Sequence, residues 1–200
     1  MMTLFWILIA FFSGSIPYAL ILGKLMARKD IRTVGDGNPG GANALKAGGM
    51  KVGVPAILLD IAKAYFPVYL AQNYGLTGWT LVPVCLAPIL GHAFSPFLRF
   101  HGGKALGTTA GVWLALVGPM AILIYAALAL PATIAQSEDA WSANAGMLGL
   151  LGYTVLSGEG WMVAFATLNA FLIAWTHRHA LACPPQLRPW VTNILQGRHA

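Results

Sequence analysis

Long uninterrupted apolar stretches alternate with short segments rich in glycine, proline and basic residues. The apolar stretches run at about 3–22, 53–72, 79–98, 105–117, 119–136, 143–157 and 159–176. Strands of a membrane barrel would alternate apolar and polar residues over ~10 positions. These runs are continuous, so they predict helices. A helix needs ~20 apolar residues to cross the hydrocarbon core; the fourth and sixth stretches fall short of that and the seventh is borderline. Gly118-Pro119 divides the fourth from the fifth, as a tight turn or as a kink in one long helix. The pattern predicts seven helices, with six as the alternative.

Composition fixes the solvent. Hydrophobic side chains make up 58% of the 200 residues and charged ones 9%. A soluble domain carries ~25% charged residues, so an ordinary water-exposed surface, a disordered chain and a charged solenoid are all excluded. The expected fold is an all-α integral membrane protein, a polytopic bundle of about seven transmembrane helices formed by residues 1–200 as a single domain. Cys85 and Cys183 form no disulfide framework or zinc spacing.

Basic residues concentrate in cytoplasmic loops. Lys24, Arg28, Lys29, Arg32, Lys46 and Lys51 occupy the first long loop, Arg99 and Lys104 the second, and Arg178, Arg188 and Arg198 the tail. Seven spans place all of these on one face, whereas the opposite loops contain no Lys or Arg. The N-terminus is then outside and the C-terminus cytoplasmic. No Lys or Arg precedes the first stretch, so a membrane span is expected there rather than a signal peptide. The acidic run Ser137-Glu138-Asp139, on the predicted inner face, departs from the pattern.

Two loops carry candidate chemistry. The first contains Gly35-Asp36-Gly37-Asn38-Pro39-Gly40-Gly41-Ala42-Asn43. Its glycines call for positive φ or close approach, and successive backbone N–H groups in such turns can form an anion nest. Gly35, Gly37 and Gly40 match G-x-G-x-x-G in form only, because the dinucleotide fingerprint follows a strand and this loop follows a membrane span. The second loop, Phe100-His101-Gly102-Gly103-Lys104, places a lysine at a predicted helix start near Thr108 and Thr109, which suits a phosphate. It is not a Walker A loop, since Leu98 and Ala105 stand at the required glycine and hydroxyl positions. A positive-inside anchor would explain Lys104 alone but not the glycine pair.

Asp60 and Lys63 lie three residues apart inside the second stretch, on one helix face, and can pair. Intramembrane charge points to function, while a neutralised pair also serves structure; both remain open. His92 fits a helix-packing histidine, and His177-Arg178-His179 a basic stop at the membrane interface.

Taken together, these motifs resemble those of the bacterial acyl-phosphate-dependent glycerol-3-phosphate acyltransferases, the PlsY family. The resemblance covers nearly the whole chain. Gly14-Ser15-Ile16-Pro17 and Asp30-Ile31-Arg32 resemble its first-span signature and loop start. The stretch from Gly35 to Asn43 resembles G-S-G-N-x-G-A-T-N, and Leu59-Asp60-x-x-Lys63 resembles L-D-x-x-K-G. Gly91-His92 with Phe100-x-Gly102-Gly103-Lys104 resembles G-H…F-K-G-G-K-G, Ser142 falls at a family serine, and His177-Arg178 resembles the start of H-R-E-N.

The resemblance implies transfer of a fatty acyl group from acyl phosphate to the 1-hydroxyl of glycerol 3-phosphate, giving lysophosphatidic acid and phosphate. It implies a bacterial inner-membrane protein among membrane lipids, with a cytoplasmic active site, no cofactor or metal and no nucleic-acid partner. Catalytic roles fall to Lys104, His177 and Asn38. Substrate or phosphate binding falls to Gly35, Asp36, Gly37, Gly40, Asn43, Lys46, Gly102, Gly103, Ser142 and Arg178. An acyl phosphate is already activated, so positioning and electrostatics can supply much of the catalysis. The base for the acceptor hydroxyl is the substrate's own phosphate or His177. No histidine is followed by an aspartate five positions on, the arrangement of the other glycerolphosphate acyltransferase class. Departures cluster in the anion loops: Asp36 replaces serine, Lys46 arginine, Ala42 threonine, His101 lysine, Ala105 glycine and Ala180 asparagine. The alternative is a divergent member without the chemistry that binds an anionic lipid or phosphorylated metabolite.

Overall fold

The computed structural model describes residues 1–196; Arg198 and His199 lie outside the described residues. Among the described residues the regular elements are helical, apart from one isolated bridge between Gln136 and Leu187. The chain forms two compact units, Met1–Pro119 and Met120–Ala200.

Unit 1 contains α1 (Met2–Ser15), α2 (Tyr18–Met26), α3 (Gly41–Gly48), α4 (Met50–Asn73), α5 (Leu81–Ala93) and α6 (Leu106–Val117). The sequence predicts a continuous helix over 3–22, but α1 ends at Ser15 and α2 restarts at Tyr18. Pro17 restricts its predecessor to extended backbone, and Ile16 is accordingly at ψ 121°. The carbonyls at this break need donors within lipid. Ser95 Oγ donates to the Ser15 carbonyl at 2.6 Å and Lys63 Nζ to the Ile16 carbonyl at 2.7 Å.

Helix α4 is the hub, packed against α1, α2, α3, α5 and α6. Pro67 lacks the N–H that would reach the Lys63 carbonyl; Ser13 Oγ on α1 supplies the missing bond at 2.7 Å. Small residues let helices approach closely, as membrane packing favours. Gly14 on α1 lies against the Pro88 backbone of α5, and Gly111 on α6 against the Ile61 carbonyl of α4. Leu4, Phe5, Leu8 and Phe12 on α1 and Leu58 and Phe66 on α4 are exposed, a surface made for lipid rather than water. By length and composition Met2–Met26, Met50–Asn73 and Gly78–Leu98 each suffice to cross a membrane.

Unit 2 contains α7 (Met120–Ala135), α8 (Asp139–Ser157), α9 (Gly160–Thr176), α10 (Arg178–Leu181) and α11 (Pro189–Leu195). Gly118-Pro119 separates two helices, with Gly118 at φ 71°. Helix α8 begins four residues before the predicted start at 143, with Asp139 in its first turn, where a carboxylate meets the positive end of the helix dipole. That placement accounts for the acidic run that breaks the basic-loop pattern. The tail docks on the α7–α8 connection: Trp141 Nε1 donates to the Cys183 carbonyl at 3.0 Å, and Arg188 Nε to the Gln136 carbonyl at 3.2 Å.

Candidate active site

The first loop is anchored before it becomes glycine-rich. Ile31 is fully buried against α2, and Asp30 caps the turn Ile31–Thr33 by accepting from the Arg32 N–H at 3.0 Å. The Arg32 guanidinium closes a fork on the same carboxylate, with Nη2 to Oδ2 at 2.6 Å. This hydrogen bonding pulls the Asp30 carboxyl down to about 2.

Beyond that turn, Gly35 and Gly37 take φ of 61° and 74°, a region that suits glycine. Gly40, in extended backbone, caps α3. From the first turn of α3, buried Asn43 donates through Nδ2 to Asp36 Oδ1 and to the Asn38 carbonyl, both at 2.9 Å. The Asn38 N–H donates to Asp36 Oδ1 at 3.2 Å, and Lys104 Nζ sits 2.6 Å from Asp36 Oδ2. Lys46 reaches over the same turn, its Nζ 3.1 Å from where a Gly35 side chain would begin. The buried Oδ1 atoms of Asn38 and Asn43 have no hydrogen-bond partner among the described residues. Asp36, Asn38, Asn43, Lys46 and Lys104 thus share one place, around Gly35 and Gly37.

Burial opposes ionisation of Asp36, but the Lys104 bond, the Asn38 amide and Asn43 outweigh it and hold its carboxyl at about 2. A depressed folded pKa gives stability that is present above the unfolded value and lost as pH falls through the folded one. The stability difference between the parent and Asp36→Asn, followed by thermal unfolding in detergent, should therefore be constant above about pH 5 and vanish as pH falls towards 2. A difference that fades near neutral pH would contradict the pairing.

The second loop uses its glycines differently from the expectation. The Gly102 and Gly103 N–H groups donate to the Ala93 and His92 carbonyls at 3.0 and 3.1 Å. A side chain on Gly102 would meet the His92 carbonyl, and one on Gly103 the His92 ring. These glycines seat the loop on the end of α5, and what the loop presents near Asp36 is the Lys104 side chain. Ala105 follows at φ 63°, a left-handed conformation costly for a residue with a Cβ. Its carbonyl accepts from the Thr109 N–H and from Thr108 Oγ1, both at 2.9 Å. Gly103→Ala should cost about 1–3 kcal/mol by overpacking, read as a lowered unfolding temperature; an unchanged one would contradict this contact.

Beneath the loop lies the intramembrane pair. Lys63 Nζ meets Asp60 Oδ1 at 2.7 Å and His92 Nδ1 at 2.9 Å, besides the Ile16 carbonyl. An ammonium only donates, so His92 Nδ1 accepts and its proton is on Nε2, the atom nearest to where a Gly103 side chain would begin. The expected helix-face pair is present and also carries the packing histidine.

The remaining candidates belong to unit 2. Ser142, buried on α8, accepts from Gln136 Nε2 at 2.7 Å. His177, buried at the end of α9, has Nδ1 2.8 Å from the Ile173 carbonyl. Arg178 donates to the Trp175 carbonyl at 2.9 Å and stacks over the Trp175 ring at 4.8 Å. The sequence reading missed the Asp36–Lys104 pair, whose only signal was an acid in one glycine loop and a lysine in the other. It also missed the contact of His92 with the second loop.

Comparison with known proteins places this geometry in a lineage. A family model described as glycerol-3-phosphate acyltransferase matches residues 4–182. The chain is 36% identical over 183 residues to a protein of that name from Maridesulfovibrio salexigens, covering 89% of this chain and 91% of the relative. It is 36% identical over 194 residues to glycerol-3-phosphate acyltransferase 1 of Thermotoga maritima, covering 89% and 95%. The fold matches the crystal structure of PlsY (YgiH), an integral membrane glycerol 3-phosphate acyltransferase, in its glycerol 3-phosphate form. The TM-score is 0.82 at 28% identity, over 99% of this chain and 94% of that one. The lysophosphatidic acid form of PlsY matches with a TM-score of 0.80 at 26% identity. On these grounds the chain, a multi-pass membrane protein, belongs to the glycerol-3-phosphate acyltransferase family.

Proposed function

We propose that this chain transfers a fatty acyl group from acyl phosphate to the 1-hydroxyl of glycerol 3-phosphate. The hydroxyl oxygen bonds to the acyl carbon, the bond from that carbon to the phosphate oxygen breaks, and inorganic phosphate leaves with the electron pair. The hydroxyl proton passes to a phosphate oxygen or to His177, and lysophosphatidic acid is formed.

The observation that carries this proposal is the meeting of Lys104 Nζ, Asn43 Nδ2 and the Asn38 N–H on one carboxylate. Donors that converge on a carboxylate suit the oxygens of a phosphate and the charge that grows on a leaving group. Lys104, Asn38 and Asn43 would hold the donor's phosphate, and Lys46 the anionic acceptor. His177 keeps the catalytic role, and Arg178 and Ser142 the substrate- or phosphate-binding roles, that the family resemblance implies. Residues 1–200 would act as one membrane domain, N-terminus outside and both glycine loops facing the cytoplasm of a bacterial inner membrane. The Asp36–Lys104 pair favours a second reading, a non-catalytic member whose anion site is filled by its own side chain.

Purified full-length chain given palmitoyl phosphate or palmitoyl-CoA with labelled glycerol 3-phosphate separates the two. Labelled lysophosphatidic acid from palmitoyl phosphate, and not from palmitoyl-CoA, is the expected result. No product from either donor, in the parent and in Asp36→Ser, would overturn the enzyme in favour of the binding protein.

A further inference from the structure

The donors assigned above to a phosphate already hold an anion, and that anion belongs to the chain. Lys104 Nζ lies 2.6 Å from Asp36 Oδ2, while Asn43 Nδ2 and the Asn38 N–H meet Oδ1 at 2.9 and 3.2 Å. The Lys104 and Asp36 side chains keep 36% and 48% of their exposure, so a dissolved anion can reach both. Arg32, in the same loop, is held in a fork by Asp30. An incoming phosphate therefore meets a lysine that is already neutralised and a carboxylate of its own sign.

We propose that Asp36 is an internal occupant of the phosphate site, which phosphate must displace from Lys104, so that position 36 sets how tightly the site holds phosphate. This rests on Lys104 being a phosphate ligand. Two anions at one ammonium compete for it, and at this spacing they also repel each other. Protonation does not remove the competitor in the working range, because the Asp36 carboxyl stays ionised down to about 2. The parent would then hold phosphate loosely and release it readily after transfer. Asn at position 36 keeps an oxygen for the Asn43 and Asn38 donors while removing the charge, so the loop geometry is preserved.

The test is equilibrium binding of radiolabelled inorganic phosphate to the purified full chain in detergent. It uses the parent, Asp36→Asn, Lys104→Ala and the double variant, with thermal unfolding of each and Asp36→Ser as a second replacement. Asp36→Asn and Asp36→Ser should bind phosphate about fivefold more tightly than the parent, the size expected of one partly exposed ion pair. In the Lys104→Ala background the gain should fall to about twofold or less, since the coupling of a contacting pair disappears when one partner is gone. Equal or weaker binding by both Asp36 variants, or the same gain with and without Lys104, would overturn the inference. If Lys104→Ala changes neither phosphate binding nor turnover, Lys104 is not a phosphate ligand and the inference falls with that assignment. If turnover depends on Lys104 but the cycle shows no coupling, the inference alone falls.

Discussion

Lys104→Ala should lower kcat/KM for acyl transfer by about 10²–10³, the usual loss when a preorganised donor to a developing anion is removed. Lys104 is held by independent fixtures on both sides. Gly102 and Gly103 seat the loop on the His92 and Ala93 carbonyls, and Ala105 turns the chain through a left-handed residue. Charge accumulates on the phosphate as it leaves, so the loss should fall mainly on kcat, with a smaller rise in KM. The unfolding temperature should fall only modestly, by no more than in Asp36→Asn, because the Lys104 side chain is 36% exposed and its pair with Asp36 is partly screened. Lys104→Arg should recover only part of the rate, since a planar fork does not reproduce a point charge. A Lys104→Ala variant within about threefold of the parent rate would remove Lys104 from the chemistry.

Lys63→Ala should produce the largest loss of stability, about 3–5 kcal/mol, as expected when one partner of a buried ion pair is removed. The side chains of Lys63 and Asp60 are 2% and 5% exposed, so the carboxylate left behind has no route to water. His92 Nδ1 loses its donor in the same step, and the Ile16 carbonyl is left with the Tyr18 N–H alone. Replacing both partners, Asp60→Leu with Lys63→Met, should recover most of that stability, because an apolar pair carries no desolvation cost. Activity should not recover in parallel. His92 would lose the contact that fixes its ring beneath Gly103, and Lys104 is the next residue. Thermal unfolding in detergent alongside turnover separates the two effects; a Lys63→Ala loss below about 1 kcal/mol would contradict the network.

The broad fold was legible because lipid demands long apolar runs, and the helices fall close to where those runs lie. Proline misled at Pro17 and again at Pro96, which lies within the stretch 79–98 although α5 ends at Ala93. Pro55, Pro67, Pro88 and Pro131 all sit inside helices, whereas Pro17 ends one. What distinguishes the site of Pro17 lies far away in sequence: Lys63 and Ser95 receive the carbonyls that the break exposes. The Asp60–Lys63 pair was legible because a three-residue spacing on a helix places both side chains on one face.

Within the site, local geometry was readable and its tertiary partners were not. Gly35 and Gly37 take the positive φ that their composition implied. Gly102 and Gly103 have the same composition, yet serve close packing against His92, and sequence alone does not distinguish a glycine that frees an N–H from one that admits a neighbour. Asp36 stood out as a misplaced charge, but its partner comes from the other loop and becomes visible only when both loops are folded.

The central claim is acyl transfer to glycerol 3-phosphate, and product stoichiometry tests it most directly. Full-length chain in lipid vesicles would be given palmitoyl phosphate, with and without glycerol 3-phosphate, while inorganic phosphate and lysophosphatidic acid are measured together. The account predicts both products in equal amounts and only when glycerol 3-phosphate is present. Phosphate released at the same rate without the acceptor, or no lysophosphatidic acid with it, would contradict it.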